Sequence, residues 1–347
     1  MSERDWLDRA ERSLSERGLT ADLELLPPHA SQRRYARATF GAGRAPASEI
    51  AMLFPQGDAS DEIGGPSGEG VAGSAFAVVQ RWLAERGVPV PASYAADERE
   101  RVLWLQDLGG RDFDAHVSSP EVDRRHAYEQ ALSLLGTFQR ATQGEAPALV
   151  GARAFDRELL RWELDHYVEW RLEAALELQL SEKVQGELSQ HFEALAEEVA
   201  ALPRTVVHRD FQSHNIMVVD GELVVLDFQD AMMGPLVYDA VALLRDSYVE
   251  LDPEELDHLV AHFAARLSSE PWCTLDEPEV VRAFYLQTLQ RKLKDAGRFV
   301  FIERVRGNDS FLRFIPSSLR YVKHAFTRLP EYAPLAELLS TLDPDLA

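Results

Sequence analysis

A single cysteine, Cys273, stands among 347 residues. No disulfide can close within the chain, so a reducing compartment is expected, with the cytoplasm as the default location. No apolar run approaches the roughly 18 residues a membrane helix needs. The charged start, MSERDWLDRAERSLSERG, lacks the apolar core of a secretory leader. Basic charge is also scarce: 36 Lys and Arg stand against 58 Asp and Glu, a formal net charge of −22. Nucleic-acid binders usually present a basic face, so neither nucleic acid nor a membrane is the expected partner. A small molecule is, and the chain is expected to act as a monomer. Any site for an anion must gather its own Arg and Lys against this background. There is no G-x-S-x-G, no Cys or His spacing suited to a metal, and no internal repeat, which leaves a hydrolase reading little support.

The length suggests two domains or one large two-lobed one, because single cores stop growing at roughly 250–300 residues. Residues 1–28 read as an amphipathic helix and a short linker. RRYARATF and EIAMLF, separated by a turn at Gly41–Gly43, read as a β-hairpin. Residues 55–74 are rich in Gly, Pro, Ser and acid and are expected to form a mobile loop. Ala75–Arg86 reads as a helix, and SYAADERERVLWLQDLGG as two strands around a turn. From Glu121 the apolar spacing turns helical, over Glu121–Gln143, Phe155–Glu177 and Ser181–Ala201. TVVHRDFQSHNIMVVDGELVVLDFQDA then interrupts with short β-like runs and an Asp220-Gly221 hairpin turn, and helices resume from Val237. The expected fold is α+β: a mostly-β N-terminal lobe (1–105), a hinge (106–110) and a mostly helical C-terminal lobe (111–347).

The strongest signal is HRDFQSHN, His208 to Asn215, followed by Asp227 in VVLDFQD. Phosphoryl transfer from a nucleotide needs a carboxylate to orient the attacking hydroxyl, and hard oxygen ligands to hold Mg²⁺ against the phosphates. Asp210 and Asn215 lie at the two ends of one tight loop, and Asp227 follows the partner strand of a hairpin. Asp210 is then the base, while Asn215 and Asp227 bind metal. His208 is expected to hold the loop in shape. Asp230 is either a second acidic contact or a turn residue.

HRDFQSHN with LDFQD resembles the aminoglycoside phosphotransferase-like kinase superfamily, whose fold is similar to that of protein kinases. Within it the chain most resembles the anomeric N-acetylmuramate/N-acetylglucosamine kinases of cell-wall recycling. SQRRYAR, LWLQDLGG, LDFQDAMMGPLVYDAVALLRDSYVEL and QRKLKDAGRFVFIERVRGNDSFLRFIPSSLRYV carry that resemblance over almost the whole chain. It implies ATP and Mg²⁺ as cofactors and transfer to the C1 hydroxyl of the free sugar. It also implies a hinge at Gln106–Leu108 that offers backbone groups to adenine, with Arg33 and Arg34 in the loop over the phosphates.

One departure stands out. Protein kinases carry a Lys on the third strand, and SEIAMLF has none. Arg33, Arg34 or Arg37 could supply the charge, since a guanidinium fork suits phosphate. The competing reading is a solvated hairpin face, which would suit a non-catalytic nucleotide binder. Arg291 and Lys294 share a helix face and could meet a sugar carboxylate or a phosphate, or else pair with Asp295 or Glu303 at the surface. Asp239 could bind a sugar hydroxyl or brace the catalytic loop, and bracing is the favoured of the two. Trp104, Trp162 and Trp170 are assigned no role. An aminoglycoside or choline kinase is the remaining alternative: the acidic balance permits an amine substrate, while the basic QRKLK run argues against one.

Overall fold

The computed structural model describes residues 2–27, 33–55 and 70–347. Much of the loop expected at 55–74, residues 56–69, lies outside the described residues, as do 28–32. The strands are β1 (Asp22–Leu25), β2 (Arg34–Thr39), β3 (Ser48–Leu53), β4 (Ser93–Asp97), β5 (Val102–Gln106), β6 (Arg204–Val207), β7 (Ile216–Val219), β8 (Glu222–Val225) and β9 (Met232–Pro235). The helices are α1 (Glu3–Glu16), α2 (Ala75–Ala84), α3 (Phe113–Val117), α4 (Arg124–Ala141), α5 (Ala148–Gly151), α6 (Arg157–His166), α7 (Glu182–Ala201), α8 (Tyr238–Leu244), α9 (Pro253–Ser268), α10 (Glu277–Arg306), α11 (Ile315–Arg328) and α12 (Ala333–Leu342). Two compact units result: residues 1–116, 144–150 and 214–230 form the first, and 117–143, 151–213 and 231–347 the second.

The first unit is built on an antiparallel sheet in the order β1-β2-β3-β5-β4. The hairpin expected at 29–54 is the β2–β3 pair, with Tyr35 opposite Met52 and Ala36 opposite Ala51. β1 was not expected: residues 1–28 read as a helix and a short linker, yet DLEL pairs with β2. α1 is opened by a capping box in which the Ser2 hydroxyl accepts from the Asp5 amide and the Asp5 carboxylate from the Ser2 amide. Its stripe Trp6, Ala10 and Leu14 packs on Ala36, Ala38, Ala51, Leu53, Val102 and Trp104. Burying each large apolar side chain contributes about 1.5–3 kcal/mol. By strand alternation, Tyr35, Met52, Leu103 and Leu105 point to the other face of the sheet. The β7–β8 hairpin belongs to this unit, tied by the Val218 amide to the Arg111 carbonyl at 3.0 Å and by the Val225 amide to the Pro89 carbonyl at 2.8 Å.

The second unit is helical apart from one antiparallel pair, β6 with β9. VVH reads as a strand, but its partner MMGP has no alternation to announce it. The expected helix Phe155–Glu177 divides into α6 and a nine-residue π-helical stretch, Tyr167–Ala175. That stretch packs against α10, the longest helix, where Gly297 permits the approach. A Cβ there would sit 2.2 Å from the His166 carbonyl oxygen and 2.7 Å from the Tyr167 nitrogen. α10 buries an unusual polar run: Gln287, Thr288, Gln290, Arg291, Lys292 and Asp295 are all buried. Charged groups are almost never buried without partners, so this run marks where the helix serves more than packing.

Candidate active site

In the second unit, β6 leads into His208, whose ring is fully buried edge-on to Phe138 (6.0 Å) and Phe211 (5.8 Å). The backbone amides of His208 and Arg209 donate to the two carboxylate oxygens of Asp239, at 2.7 and 3.0 Å. Asp239 lies on α8 and has no exposed surface. Both of its oxygens are therefore engaged by the loop backbone. Burial pushes its carboxyl up to about 6, against the opposing pull of His208 and the two amides. Farther along, the amide and hydroxyl of Ser213 both donate to one oxygen of the buried Asp246, at 2.8 and 2.6 Å. Two buried acids, one on α8 and one just beyond it, thus fasten both ends of the segment His208–Ser213.

Asp210 lies between these fasteners with its side chain 48% exposed. The residue before it, Arg209, has φ +79°. A non-glycine residue in that region is strained by about 1–3 kcal/mol and persists only where its surroundings over-determine it. Here they do. The Arg209 amide is held by Asp239, and its carbonyl accepts from Arg291 Nη1 at 3.1 Å. The other Arg291 nitrogen, Nη2, is 3.8 Å from Asp210 Oδ1. Arg291 is buried on α10 with its guanidinium over the Tyr238 ring, 4.7 Å from the centroid. Burial alone would lower this guanidinium, yet Tyr238, Asp295, Asp210 and Glu163 together hold it above its ordinary value. Burial drives the Tyr238 phenol up to about 12.

Lys294 is 3.0 Å from Asp295, which also takes Lys292 at 2.9 Å. Although burial opposes it, the two lysines and Arg291 keep Asp295 well below the usual carboxylate range. Lys294 is raised despite burial, chiefly by Asp295, whereas burial lowers Lys292. On this helix face Arg291 is buried and Lys294 half-buried, so neither is a solvated surface charge.

In the first unit the hairpin turn has Asp220 at φ +50° and Gly221 at φ +86°, the pattern of a two-residue type I′ turn. At its open end the Leu226 amide donates to the Asn215 carbonyl at 2.8 Å, which brings Asn215 beside the start of the Asp227 loop. Asp227 also has a left-handed backbone, φ +60°, and an exposed side chain that accepts from Gln229 Nε2 at 2.6 Å. Asp230 closes the 3-10 turn Phe228–Asp230, and Phe228 packs on Phe76 of α2 at 4.9 Å. An amide oxygen and a carboxylate fit Mg²⁺, which commonly takes one or two protein oxygens and completes its shell with phosphate and water.

Arg33 is buried over Phe54, 5.6 Å from the ring centroid. Arg34 Nη2 lies 4.0 Å from the Glu3 carboxylate. Arg37 is engaged bidentately by Asp107, at 2.7 and 3.3 Å. Asp107 sits between Gln106 and Leu108 and also accepts the Gly109 amide at 3.0 Å. Although burial would raise it, the hydrogen bonds from Arg37 and Ser48 hold its carboxyl down. The Gln106 amide donates to the Ala92 carbonyl at 2.8 Å, and the Leu108 side chain is buried, so this segment is firmly tied. The only ionisable residue on β3 is Glu49, buried and paired with Arg17 (2.7 Å) and Arg44 (3.1 Å). α2, AFAVVQRWLA, contains no acid. Both halves of the strand-lysine–helix-glutamate pair that protein kinases use are thus missing from β3 and α2.

Three residues at these places escaped sequence reasoning. Asp246 was visible only as part of LLRDS. Burial raises the Tyr35 phenol, with Arg33 and Asp227 both acting on it. Burial likewise raises Tyr248, which also feels Asp246, Arg313 and Asp210.

The model of the "Phosphotransferase enzyme family" matches residues 22–284. An N-acetylmuramate/N-acetylglucosamine kinase of Pseudomonas aeruginosa is 32% identical over 272 residues, 77% of each chain. The protein of that name from Neisseria meningitidis is 31% identical over 331 residues, 93% of this chain and 91% of the relative. In three dimensions the chain is similar to the ADP-bound aminoglycoside phosphotransferase APH(2'')-Ib. The TM-score is 0.59 at 11% identity, over 94% of this chain and 99% of the other. The fold is the expected α+β, protein-kinase-like one. With the family model spanning most of its length and a relative at 32% identity, the chain belongs to the phosphotransferase enzyme family.

Proposed function

We propose that this phosphotransferase moves the γ-phosphoryl group of ATP onto the anomeric C1 hydroxyl of N-acetylmuramate or N-acetylglucosamine, yielding the sugar 1-phosphate. The observation that carries the catalytic part is the fastened loop. A half-exposed Asp210 follows a left-handed residue that is held at its amide by Asp239 and at its carbonyl by Arg291. A loop that stores strain to aim one carboxylate suits a base rather than a turn residue. The names of the two bacterial relatives support the choice of sugar.

In this reading Asp210 orients the attacking hydroxyl and takes its proton as the new O–P bond forms and the β,γ-bridging bond breaks. Asn215 and Asp227 hold Mg²⁺, which offsets the charge on the phosphate oxygens. Backbone groups of Gln106–Leu108 receive adenine, and Arg33 and Arg34 serve the phosphates in place of the absent strand lysine. His208 and Asp239 keep the loop in register. Positioning and electrostatics then supply most of the acceleration. Residues 1–105 act as the nucleotide lobe, 106–110 as the hinge, and 111–347 carry the sugar site.

The missing lysine–glutamate pair favours a second reading, a nucleotide binder without transfer activity. A nucleotide-release assay with ATP, Mg²⁺ and a panel of N-acetylmuramate, N-acetylglucosamine, other hexoses, an aminoglycoside and choline separates the two. Acceptor-dependent ADP formation with the N-acetylhexosamines supports the kinase. Formation only with another acceptor overturns the sugar assignment. Tight ATP binding with no acceptor-dependent turnover supports the binder.

A further inference from the structure

Arg291 is a buried cation that meets the catalytic loop at two points, and its geometry assigns it a different role from that of a substrate ligand. Its Nη1 donates to the carbonyl of Arg209, which belongs to the peptide joining Arg209 to Asp210. Its Nη2 lies 3.8 Å from the Asp210 carboxylate itself. One planar group thus holds the peptide by a hydrogen bond and faces the Asp210 carboxylate as an ion pair. Lysine, a point charge on a flexible stem, cannot reproduce that fork. The fork is fixed from behind by the Tyr238 ring at 4.7 Å, and only 4% of the side chain is exposed. A group so enclosed is poorly placed to travel to a substrate carboxylate.

We infer that Arg291 is a positioning residue for Asp210: it clamps the carbonyl of the left-handed Arg209 and steadies the Asp210 carboxylate, opposite the clamp that Asp239 applies to the Arg209 amide. This deepens the kinase reading and rests on Asp210 being the base. Asp295 acts on Arg291, Lys292 and Lys294 alike, and Glu163 on Arg291 and Lys294, so the clamp is a member of a network of opposed charges.

The test uses the full chain as Arg291→Lys and Arg291→Gln, assayed on whichever acceptor the wild-type protein phosphorylates. A wrong choice of sugar therefore leaves this test intact. Displacing a reacting group by about 1 Å costs on the order of 100-fold. Arg291→Lys is expected to lower kcat by that order while the KM for ATP and for acceptor changes less than about 3-fold. Arg291→Gln removes the fork and the charge together and is expected to lower kcat at least as far. If Arg291→Gln does not fold, the kcat and KM of Arg291→Lys still decide. Two results would overturn the clamp: kcat of Arg291→Lys within about 3-fold of wild type, or a loss confined to the KM of an acidic acceptor such as N-acetylmuramate with N-acetylglucosamine unaffected. The second outcome would make Arg291 a ligand for the sugar carboxylate.

Discussion

Replacing Asp239 by Asn should separate stability from activity in a pH-dependent way. The carboxylate receives two backbone amides at 2.7 and 3.0 Å and is wholly buried. An Asn side chain can accept one of these bonds but turns its own N–H₂ toward the other donor. A lost buried hydrogen bond costs about 1–3 kcal/mol. Against that stands the burial of a charge: a carboxyl raised from 3.8 to about 6 is disfavoured in its ionised form at neutral pH by ~3 kcal/mol. The neutral variant escapes this cost, so its net stability at pH 7.5 should lie within ~2 kcal/mol of wild type. Activity should not be spared. With one clamp gone, Arg209 can leave its strained conformation, and kcat should fall on the order of 100-fold.

The sign with pH follows. The folded carboxyl titrates above its unfolded value, so the folded state takes up the proton first on acidification. The group's contribution to stability declines as pH rises from about 4 to about 6 and is level above that. Activity runs the other way, because the protonated acid offers the loop one good acceptor rather than two. The wild-type to Asp239→Asn ratio of kcat should be largest above pH 7 and shrink below pH 6. Urea unfolding and steady-state turnover between pH 5 and 8 measure both. A ratio that stays constant over that range, or a variant with wild-type kcat, would refute the reasoning.

Further predictions follow from the same geometry. Asp210→Ala should collapse kcat while Mg²⁺-ATP affinity, read by calorimetry, changes less than about 3-fold; unchanged turnover would remove Asp210 as the base. Asp227→Ala should weaken Mg²⁺-ATP binding by on the order of 10-fold or more, as loss of a metal ligand does, and retained affinity would count against its metal role. Gly297→Ala should destabilise the second unit by about 1–3 kcal/mol in urea, because its Cβ would meet the His166 carbonyl oxygen at 2.2 Å and neither backbone can easily yield; wild-type stability would show that α10 and the π-helical stretch move apart freely.

The candidate site was more legible in the sequence than the scaffolding that holds it. His208, Asp210, Asn215 and Asp227 stand in a spaced motif beside a hairpin whose Asp-Gly turn is a strong local signal. The β2–β3 and β4–β5 hairpins were equally legible, since alternation and turns are local. β1 and β9 were not: four residues carry too little pattern, and β9 exists because β6 pairs with it, with Arg204 opposite Pro235. The π-helical stretch has the composition of an ordinary helix, and only its contact with Gly297 distinguishes it. Asp246 drew no reading of its own, and Arg291 read as a sugar or phosphate ligand or else a surface charge, because their partners, Ser213 and the Arg209–Asp210 peptide, lie 33 and 82 residues away. Tertiary contact, not local preference, gives those residues their meaning.

The central claim, transfer of the ATP γ-phosphoryl group to the anomeric hydroxyl of an N-acetylhexosamine, is tested most directly by phosphorus NMR of the product. The full-length chain would be incubated with Mg²⁺, ATP and either N-acetylmuramate or N-acetylglucosamine. The account predicts a new acid-labile phosphomonoester whose phosphorus couples to the anomeric proton, and its loss with Asp210→Ala. A phosphomonoester coupled to a proton at any other sugar carbon, or no new ester while ATP remains bound, would contradict it.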